Sequence, residues 1–226
     1  MNKSDFFSKI SVLGKALDSP ERLRIIDSLC QAERTVEDLA SVLDLPVKTV
    51  SHHLQKLKSS GFVSFQKKGR YSLYSVSCTG IITLMSNLKN LSIELLPDMK
   101  LHMKELETTR HKFQCSDDSN LTDLVKSGKV LIIDVRDTEE FNSAHLPAAV
   151  SVPFNELENF ISKFKDTRTV LAYCSDIFCD LADRAVTQMR KAGLTAFRLE
   201  DSVTGRISQK LWRDQISETL HIEKGK

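Results

Sequence analysis

Several features are scarce or missing in this sequence of 226 residues, and each absence excludes a class of protein. No apolar run approaches the roughly 18 residues that a bilayer-spanning helix needs, and residues 1–10 lack an apolar segment followed by a small-residue cleavage site. Five cysteines are an odd number in a chain without an export signal, which argues for free thiols with redox, metal or nucleophilic roles rather than structural bridges. We therefore expect a cytoplasmic globular protein with no membrane contact.

Acidic residues are absent between Asp44 and Glu94, where the charged side chains are Lys48, Lys56, Lys58, Lys67, Lys68, Arg70 and Lys89. Residues 1–115 hold 17 Lys and Arg against 12 Asp and Glu, whereas residues 116–226 hold 15 against 18. A solvated face normally mixes both signs, so the basic stretch indicates a polyanionic partner, with a plain basic surface as the alternative.

The length predicts about two domains. Residues 114–120 (QCSDDSN) have no apolar periodicity and read as a linker. The predicted boundaries are therefore 1–113 for the first domain and 121–226 for the second.

Residues 19–60 carry the start and stop signals of three helices. Ser19 followed by proline is typical of a capped helix start, and Thr35 with Asp38 three residues later marks a second start. A third helix is predicted from residue 47 to about residue 60, after a break at the Asp-Leu-Pro sequence that precedes it. Two short helices joined by a tight turn form the helix-turn-helix plan, in which the second helix enters the major groove of DNA.

A basic hairpin is predicted after Gly61, which has the position of a C′ glycine. Residues 62–65 and 71–76 alternate with period two around a basic tip at residues 66–70, as in the wing of a winged helix. We expect the helix to contact base edges and the wing to contact phosphates or the minor groove. The candidate DNA-binding residues are Lys48, Thr49, Ser51, His52, Gln55 and Lys56 on the helix and Lys67, Lys68 and Arg70 on the wing. Of the adjacent histidines, His52 should point outward and His53 should be partly packed.

Residues 45–63 (LPVKTVSHHLQKLKSSGFV) closely resemble the recognition helix and following turn of ArsR-type (ArsR/SmtB) winged-helix repressors, and the resemblance extends over about residues 4–112. It implies a mainly α winged helix-turn-helix domain that binds a palindromic operator in double-stranded DNA as a homodimer and releases it when an inducer arrives. It also implies that an N-terminal helix and a long helix after the wing form the dimer. Apolar positions agree with this, namely Phe6, Phe7, Ile10, Leu13, Leu17 and the pattern over residues 81–106.

The sequence of the first half does not identify the class of inducer. Family members that sense metals carry a cysteine pair before the turn, but residues 36–39 (VEDL) contain no thiol. Asp98, His102 and His111 are not spaced to share one face of a helix, so we expect no metal and no cofactor, with a site across a dimer as the open alternative.

Sulfur-sensing relatives use one thiol in the second helix and another in the last. Cys30 lies in the predicted second helix, while Cys78 and Cys115 flank the predicted last helix, so the pair is not cleanly reproduced. A buried core position is the simpler interpretation of Cys30.

The second half shows the pattern of an α/β domain. Residues 130–133 and 169–173 are apolar runs that end in Asp134 and Cys174, and a further strand is predicted over residues 195–199. Helices are predicted over residues 155–165 and 180–191. Functional residues of such sheets gather at the carboxyl ends of the strands, which places Cys174 for chemistry.

The loop of residues 174–179 (CSDIFC) runs directly into the helix predicted near Asp180. Backbone amides and the helix N-terminus would stabilise a thiolate and then a persulfide on Cys174, whose other interpretation is a buried small side chain. The predicted roles are nucleophile and persulfide carrier for Cys174, resolving thiol for Cys179, and amide donation by Ser175, Asp176, Ile177 and Phe178.

Residues 131–141 (LIIDVRDTEEF), residues 144–153 (AHLPAAVSVP) and the Tyr173-Cys174 pair resemble a single rhodanese (sulfurtransferase) domain over about residues 120–215. The resemblance implies a three-layer fold around a parallel sheet and leaves sulfurtransferase activity open. The six-residue loop is of the sulfurtransferase length, and Asp180 stands where a related phosphatase needs an arginine.

The loop departs from the family pattern because Ser175 and Asp176 replace the basic residue or glycine that often follows the nucleophile. We expect Asp176 to repel thiosulfate and to raise the pKa of the neighbouring thiol, which favours a neutral or protein-bound sulfane-sulfur donor and slow turnover. Asp134 and Arg136 are expected to form a structural pair, and His145 to be a packed or capping residue.

Three functions remain open from the sequence. The first is a DNA-binding repressor that responds to sulfane sulfur through Cys174. The second is a sulfurtransferase tethered to a DNA-binding module without switching. The third is a metal- or metalloid-responsive repressor.

Overall fold

The structure, a computed structural model, describes residues 1–112, 124–164 and 167–200. Contacts divide the chain into two compact units, Met1–Leu88 and Lys89–Lys226. The linker predicted at residues 114–120, which contains Cys115, lies outside the described residues, so the predicted domain limits stay a prediction. No helix in the described part of the chain is long and apolar enough to cross a membrane.

The first unit is a winged helix-turn-helix, as predicted. Its elements are α1 (Lys3–Leu17), α2 (Pro20–Gln31), α3 (Val36–Leu43), α4 (Val47–Ser59), β1 (Val63–Lys68) and β2 (Tyr71–Val76). The Ser19 side chain caps α2, and Thr35 with Asp38 forms a capping box at α3. Asp44 adopts the left-handed conformation at the end of α3, which turns the chain sharply into α4.

The apolar side of α4 packs against the core of this unit. Val50, Leu54 and Leu57, which the helical pattern of α4 directs inward, are all fully buried. They pack with Ile25, Ile26 and Leu39 of the preceding helices in one cluster. The opposite side of α4 is consequently left to solvent or a partner.

Two helices follow the wing where the sequence predicted one long helix. Helix α5 covers Gly80–Leu95 and begins in the first unit, and α6 covers Pro97–Thr109 in the second. Leu96 between them has φ −103° and ψ 111°, which is extended. The single-helix prediction was wrong because Pro97 forces the residue before it out of the helical region and is itself favoured at the first position of a new helix.

The second unit contains a parallel sheet of four strands in the order β4-β3-β5-β6. The strands are β3 (Val130–Asp134), β4 (Val150–Ser151), β5 (Thr169–Tyr173) and β6 (Ala196–Arg198), and the helices between them are α7 (Thr138–Ser143), α8 (Leu157–Lys163) and α9 (Leu181–Lys191). The sequence predicted β3, β5, β6, α8 and α9 to within a few residues, and it missed β4 and α7.

Apolar side chains cover both faces of this sheet. Ile133, Val170 and Ala172 pack into the cluster that includes α8 and α9. The alternate residues Leu171 and Tyr173 pack into a second cluster on the other face. A sheet that is buried on both faces is the three-layer arrangement that the resemblance implied. The carboxyl end of β5, where Cys174 follows, lies between the two apolar clusters.

Candidate functional site

The exposed side of α4 carries the side chains that the sequence proposed for base contacts. Lys48, His52, Gln55 and Lys56 are exposed, and Thr49 and Ser51 are half-buried. His53 is half-buried, as expected from its position next to an outward His52. Burial, followed by the nearby Arg22 charge, lowers the pKa of His53.

The wing is tighter than predicted. Strand β1 continues to Lys68 and pairs it with Tyr71, so the turn consists of Gly69 and Arg70 rather than residues 66–70. Gly69 has φ +61°, which glycine adopts without strain. Lys67, Lys68 and Arg70 are all exposed, and the wing therefore presents three cations at its end.

Helix α1 and the helices after the wing leave large apolar side chains exposed among the described residues. These are Phe6, Phe7, Ile10 and Leu13 on α1, and Leu84, Leu91, Leu95, Leu96 and Leu101 on and between α5 and α6. Exposed apolar side chains that recur along a helix are typical of protein-protein interfaces.

Cys174 lies directly after β5 and is only 3% exposed. Its sulfur forms a disulfide with Cys179, and the two Cα atoms are 6.2 Å apart. Cys30 is a buried member of the core of the first unit, and Cys78 is exposed. The loop between the bonded cysteines thus closes on itself at the carboxyl end of the central strand.

Asp176 is held by its own loop and by a lysine. Its Oδ1 accepts hydrogen bonds from the backbone N–H groups of Phe178 at 2.9 Å and Cys179 at 3.1 Å. Its Oδ2 forms an ion pair with the Lys89 ammonium group of α5. The Asp176 carboxylate is therefore paired with a cation and two amides, and its expected repulsion of thiosulfate stays a prediction. The predicted donation of the Phe178 amide to the Cys174 sulfur was wrong in this form of the loop, because that amide donates to Asp176. Donation by the amides of Ser175, Asp176 and Ile177 stays a prediction.

Two buried arginines from outside the loop bind its backbone. Arg110 Nη2 donates to the Ile177 carbonyl at 2.7 Å. Arg198 Nη2 donates to the Asp176 carbonyl at 2.8 Å, and its Nη1 donates to the Cys179 carbonyl at 2.9 Å.

The two guanidinium groups also share one carboxylate. Asp183 Oδ2 accepts from Arg110 Nε at 3.0 Å and from Arg198 Nη1 at 2.8 Å. Burial lowers the pKa of Arg198, and the Asp183 charge opposes that effect. The sequence did not predict roles for Arg110, Arg198 or Asp183. The two arginines are distant from Cys174 along the chain, and Asp183 is one of several polar residues on the helix predicted over residues 180–191.

Asp134 and Arg136 form a buried ion pair at the end of β3, as the sequence predicted. Arg136 Nη2 lies 2.6 Å from Asp134 Oδ2, and both side chains are at most 1% exposed. Arg136 also donates to the Ala144 carbonyl at 2.8 Å. His145 is exposed, its ring stacks on that of Phe141 with centroids 4.1 Å apart, and its Nδ1 lies 2.9 Å from the Phe141 carbonyl oxygen, which agrees with the capping alternative.

Asp98, His102 and His111 are exposed and do not converge. Within residues 1–112, 124–164 and 167–200, no group of three or more His, Cys, Asp or Glu side chains is arranged to hold a metal ion.

Comparison with known proteins assigns both halves. The profile of the bacterial regulatory protein arsR family matches residues 19–64, and the profile of the rhodanese-like domain matches residues 117–205. The HTH-type transcriptional regulator Rv0324 of Mycobacterium tuberculosis is 29% identical over 201 residues, which cover 89% of this chain and 88% of that protein.

The cadmium resistance regulatory protein CadC of Listeria innocua is 37% identical over 93 residues, which cover 40% of this chain and 78% of that protein. A solved homodimeric winged helix-turn-helix domain of Mb0332 from Mycobacterium bovis is 31% identical, covers 43% of this chain and 90% of that domain, and superposes with a TM-score of 0.41. The chain therefore belongs to the ArsR family of bacterial transcriptional regulators and carries a C-terminal rhodanese-like domain.

Proposed function

We propose that the protein is a homodimeric repressor that binds a palindromic operator and loses affinity for it when Cys174 takes up sulfane sulfur. The observation that carries this proposal is the position of Cys174, buried after β5 and within bonding distance of Cys179 in a loop that arginines and Lys89 hold from outside. A cysteine pair in this position can exist as two thiols, as a persulfide or as a disulfide.

The chemistry balances without a cofactor. The Cys174 thiolate attacks the sulfane sulfur of a donor of the form RSS⁻, forms a Cys174 persulfide and expels RS⁻ as the leaving thiolate. The Cys174 persulfide takes up a proton from water, and attack of the Cys179 thiolate on the inner Cys174 sulfur then forms the disulfide and expels the outer sulfur with that proton as HS⁻. The sulfane sulfur is reduced to sulfide, and the two cysteine thiols supply the electrons.

The donor need not be neutral. Asp176 is paired with Lys89, and two further cations, Arg110 and Arg198, lie around the loop with the single carboxylate of Asp183. This balance of charges supports an anionic donor such as a hydropolysulfide, in contrast to the donor class expected from the loop sequence alone.

The DNA-binding part of the proposal depends on the exposed cations and polar groups of α4 and the wing. The exposed apolar residues of α1, α5 and α6 supply a surface for a second copy, and the similar M. bovis domain is a homodimer. For a switch of typical size, sulfur modification of the loop reduces the favourable free energy of operator binding by about 1–3 kcal/mol, which corresponds to a roughly 5- to 150-fold loss of operator affinity.

Operator affinity in the presence and absence of disodium tetrasulfide tests the proposal. Wild type should bind the operator about 5- to 150-fold more weakly with the donor, and Cys174→Ser should bind equally in both conditions. Cys78→Ser is the matched control, since it removes an exposed thiol from the first unit, and it should respond as wild type does.

Equal release of DNA by wild type and Cys174→Ser would show that Cys174 is not the sensor. If the donor leaves the operator affinity of wild type unchanged while the protein transfers sulfur to an acceptor thiol, the chain is a DNA-tethered sulfurtransferase and not a switch.

A further inference from the structure

The loop of residues 174–179 lacks a basic residue, and the structure supplies cations to it from three other segments. Lys89 comes from α5, Arg110 directly follows α6, and Arg198 ends β6. Two of the three therefore come from segments that precede residues 117–205, which the rhodanese-like profile matches. Residues outside that match consequently help to build the loop.

The arginines fix the orientation of successive peptide groups. In a planar trans peptide the C=O and N–H bonds point in opposite directions, so a donor that holds the carbonyl also determines where the amide hydrogen points. Arg198 holds the carbonyl of Asp176 and Arg110 holds that of Ile177, while the Phe178 amide on the other side of the latter peptide donates to Asp176. A change of loop conformation must therefore break or move the bond to Arg110.

Arg110 continues α6, and the two residues after it are bonded to the sheet. The backbone N–H of Arg110 donates to the Leu106 carbonyl at 3.0 Å and so continues the last turn of α6. The next residue, His111, accepts a 2.7 Å hydrogen bond from the Arg198 backbone, and Lys112 forms a parallel bridge with the same residue. The ion pair of Lys112 with Glu200, at 2.7 Å, adds a further link.

We propose that Arg110 is a positioning residue that transmits the state of the Cys174–Cys179 loop to the end of α6. The geometry that carries this inference is one buried guanidinium group, its side chain 3% exposed, which binds the loop at Ile177 and α9 at Asp183 while its backbone belongs to α6. When the loop rearranges between thiol and sulfur-modified forms, the end of α6 moves with it. The inference rests on the proposed function, because it needs an operator response to transmit.

The test is the operator response of full-length Arg110→Gln, with Arg184→Gln as the matched control. Arg184 lies on α9 near the loop, but its side chain is 55% exposed and its ion pair with Asp180 spans 3.9 Å. Each protein is titrated with operator DNA before and after treatment with disodium tetrasulfide, and intact mass records sulfur uptake. Arg110→Lys is added because lysine keeps the charge but cannot bind the carbonyl and the carboxylate through a planar fork.

We expect Arg110→Gln to bind the operator as wild type does before treatment. Because the variant lacks one cation near the loop, it is treated with the donor until intact mass shows the same sulfur uptake on the same cysteines as in wild type, and the affinities are compared at that equal modification. The affinity of Arg110→Gln should then change less than about 2-fold, where wild type and Arg184→Gln change about 5- to 150-fold. Arg110→Lys should give an intermediate response, which also serves as the test if the glutamine variant does not fold.

The inference would be overturned if either Arg110→Gln or Arg110→Lys lost as much operator affinity on treatment as wild type does. The proposed function would remain intact in that case. Loss of sulfur uptake in Arg110→Gln would overturn the inference as well, because Arg110 would then serve the chemistry rather than its transmission. An absent response in wild type would instead refute the proposed function.

Discussion

The exposed lysines of the wing should determine how steeply DNA affinity falls with salt concentration. Lys67 and Lys68 are exposed on β1 just before the two-residue turn, in a stretch of chain without acidic residues. If both lie on phosphates, each releases condensed counterions when it binds DNA, and the logarithm of affinity falls with the logarithm of salt concentration by about 0.9 per contact. A dimer has two wings, so Lys67→Gln with Lys68→Gln should flatten the slope by up to about 3.6.

The difference in slope produces a large difference in DNA affinity between low and moderate salt concentrations. Between about 50 and 200 mM salt, wild type should lose up to about 150-fold more affinity than the double variant, for operator and for unrelated DNA alike. Fluorescence anisotropy at several salt concentrations measures both slopes. Lys191→Gln removes an exposed cation from α9 in the second unit and should leave the slope unchanged. A double variant with the wild-type slope would refute the assignment of the wing to phosphate contacts.

Three further predictions concern α4 and the ion pair of Asp134 with Arg136. Gln55→Ala should lose about 1–3 kcal/mol of discrimination at one operator base pair with little change in salt slope; equal losses for every sequence in a binding-site selection would count against base readout. Asp134→Asn should destabilise the second unit by up to about 3–5 kcal/mol in urea unfolding, because the buried Arg136 loses the carboxylate at 2.6 Å and keeps the more distant Glu140 carboxylate at 3.8 Å; a change below about 1 kcal/mol would contradict the structural role of the pair. The lowered pKa of His53 means that the unfolded chain takes up its proton first, so the contribution of this histidine to stability is full above about pH 6.5 and is lost as the pH falls below that value. His53→Gln should reduce the fall in stability between about pH 7 and pH 5, and an unchanged pH profile of thermal unfolding would disprove this effect.

Local signals predicted the elements that carry the DNA-binding residues. Ser19, Thr35 and Gly61 mark helix ends through their own side chains or φ angles, so the sequence alone placed α2, α3 and the end of α4. The break before Pro97 was also readable as a helix start. Apolar periodicity on both sides obscured it, since the pattern continues in phase through the break.

Short or distant features were not predictable in the same way. Strand β4 has two residues and no alternation to recognise. Helix α7 is different, because the Asp137 side chain caps it by accepting a hydrogen bond from the Glu140 amide, and such a cap is a start signal that the sequence contains. The cations around the cysteine loop are a different case. Arg110 and Lys89 lie 67 and 87 residues from the loop residues that they bind, so only the fold brings them together.

The central claim is that sulfur on Cys174 is the signal that releases the operator. Its most direct test treats the full-length protein with less than one equivalent of disodium tetrasulfide per chain, separates operator-bound from released protein, and measures intact and peptide masses of both fractions. We predict that the released fraction carries Cys174 as a persulfide, about 32 Da heavier, or as the disulfide with Cys179, and that the bound fraction carries the thiol. Equal modification of Cys174 in the two fractions would contradict the account.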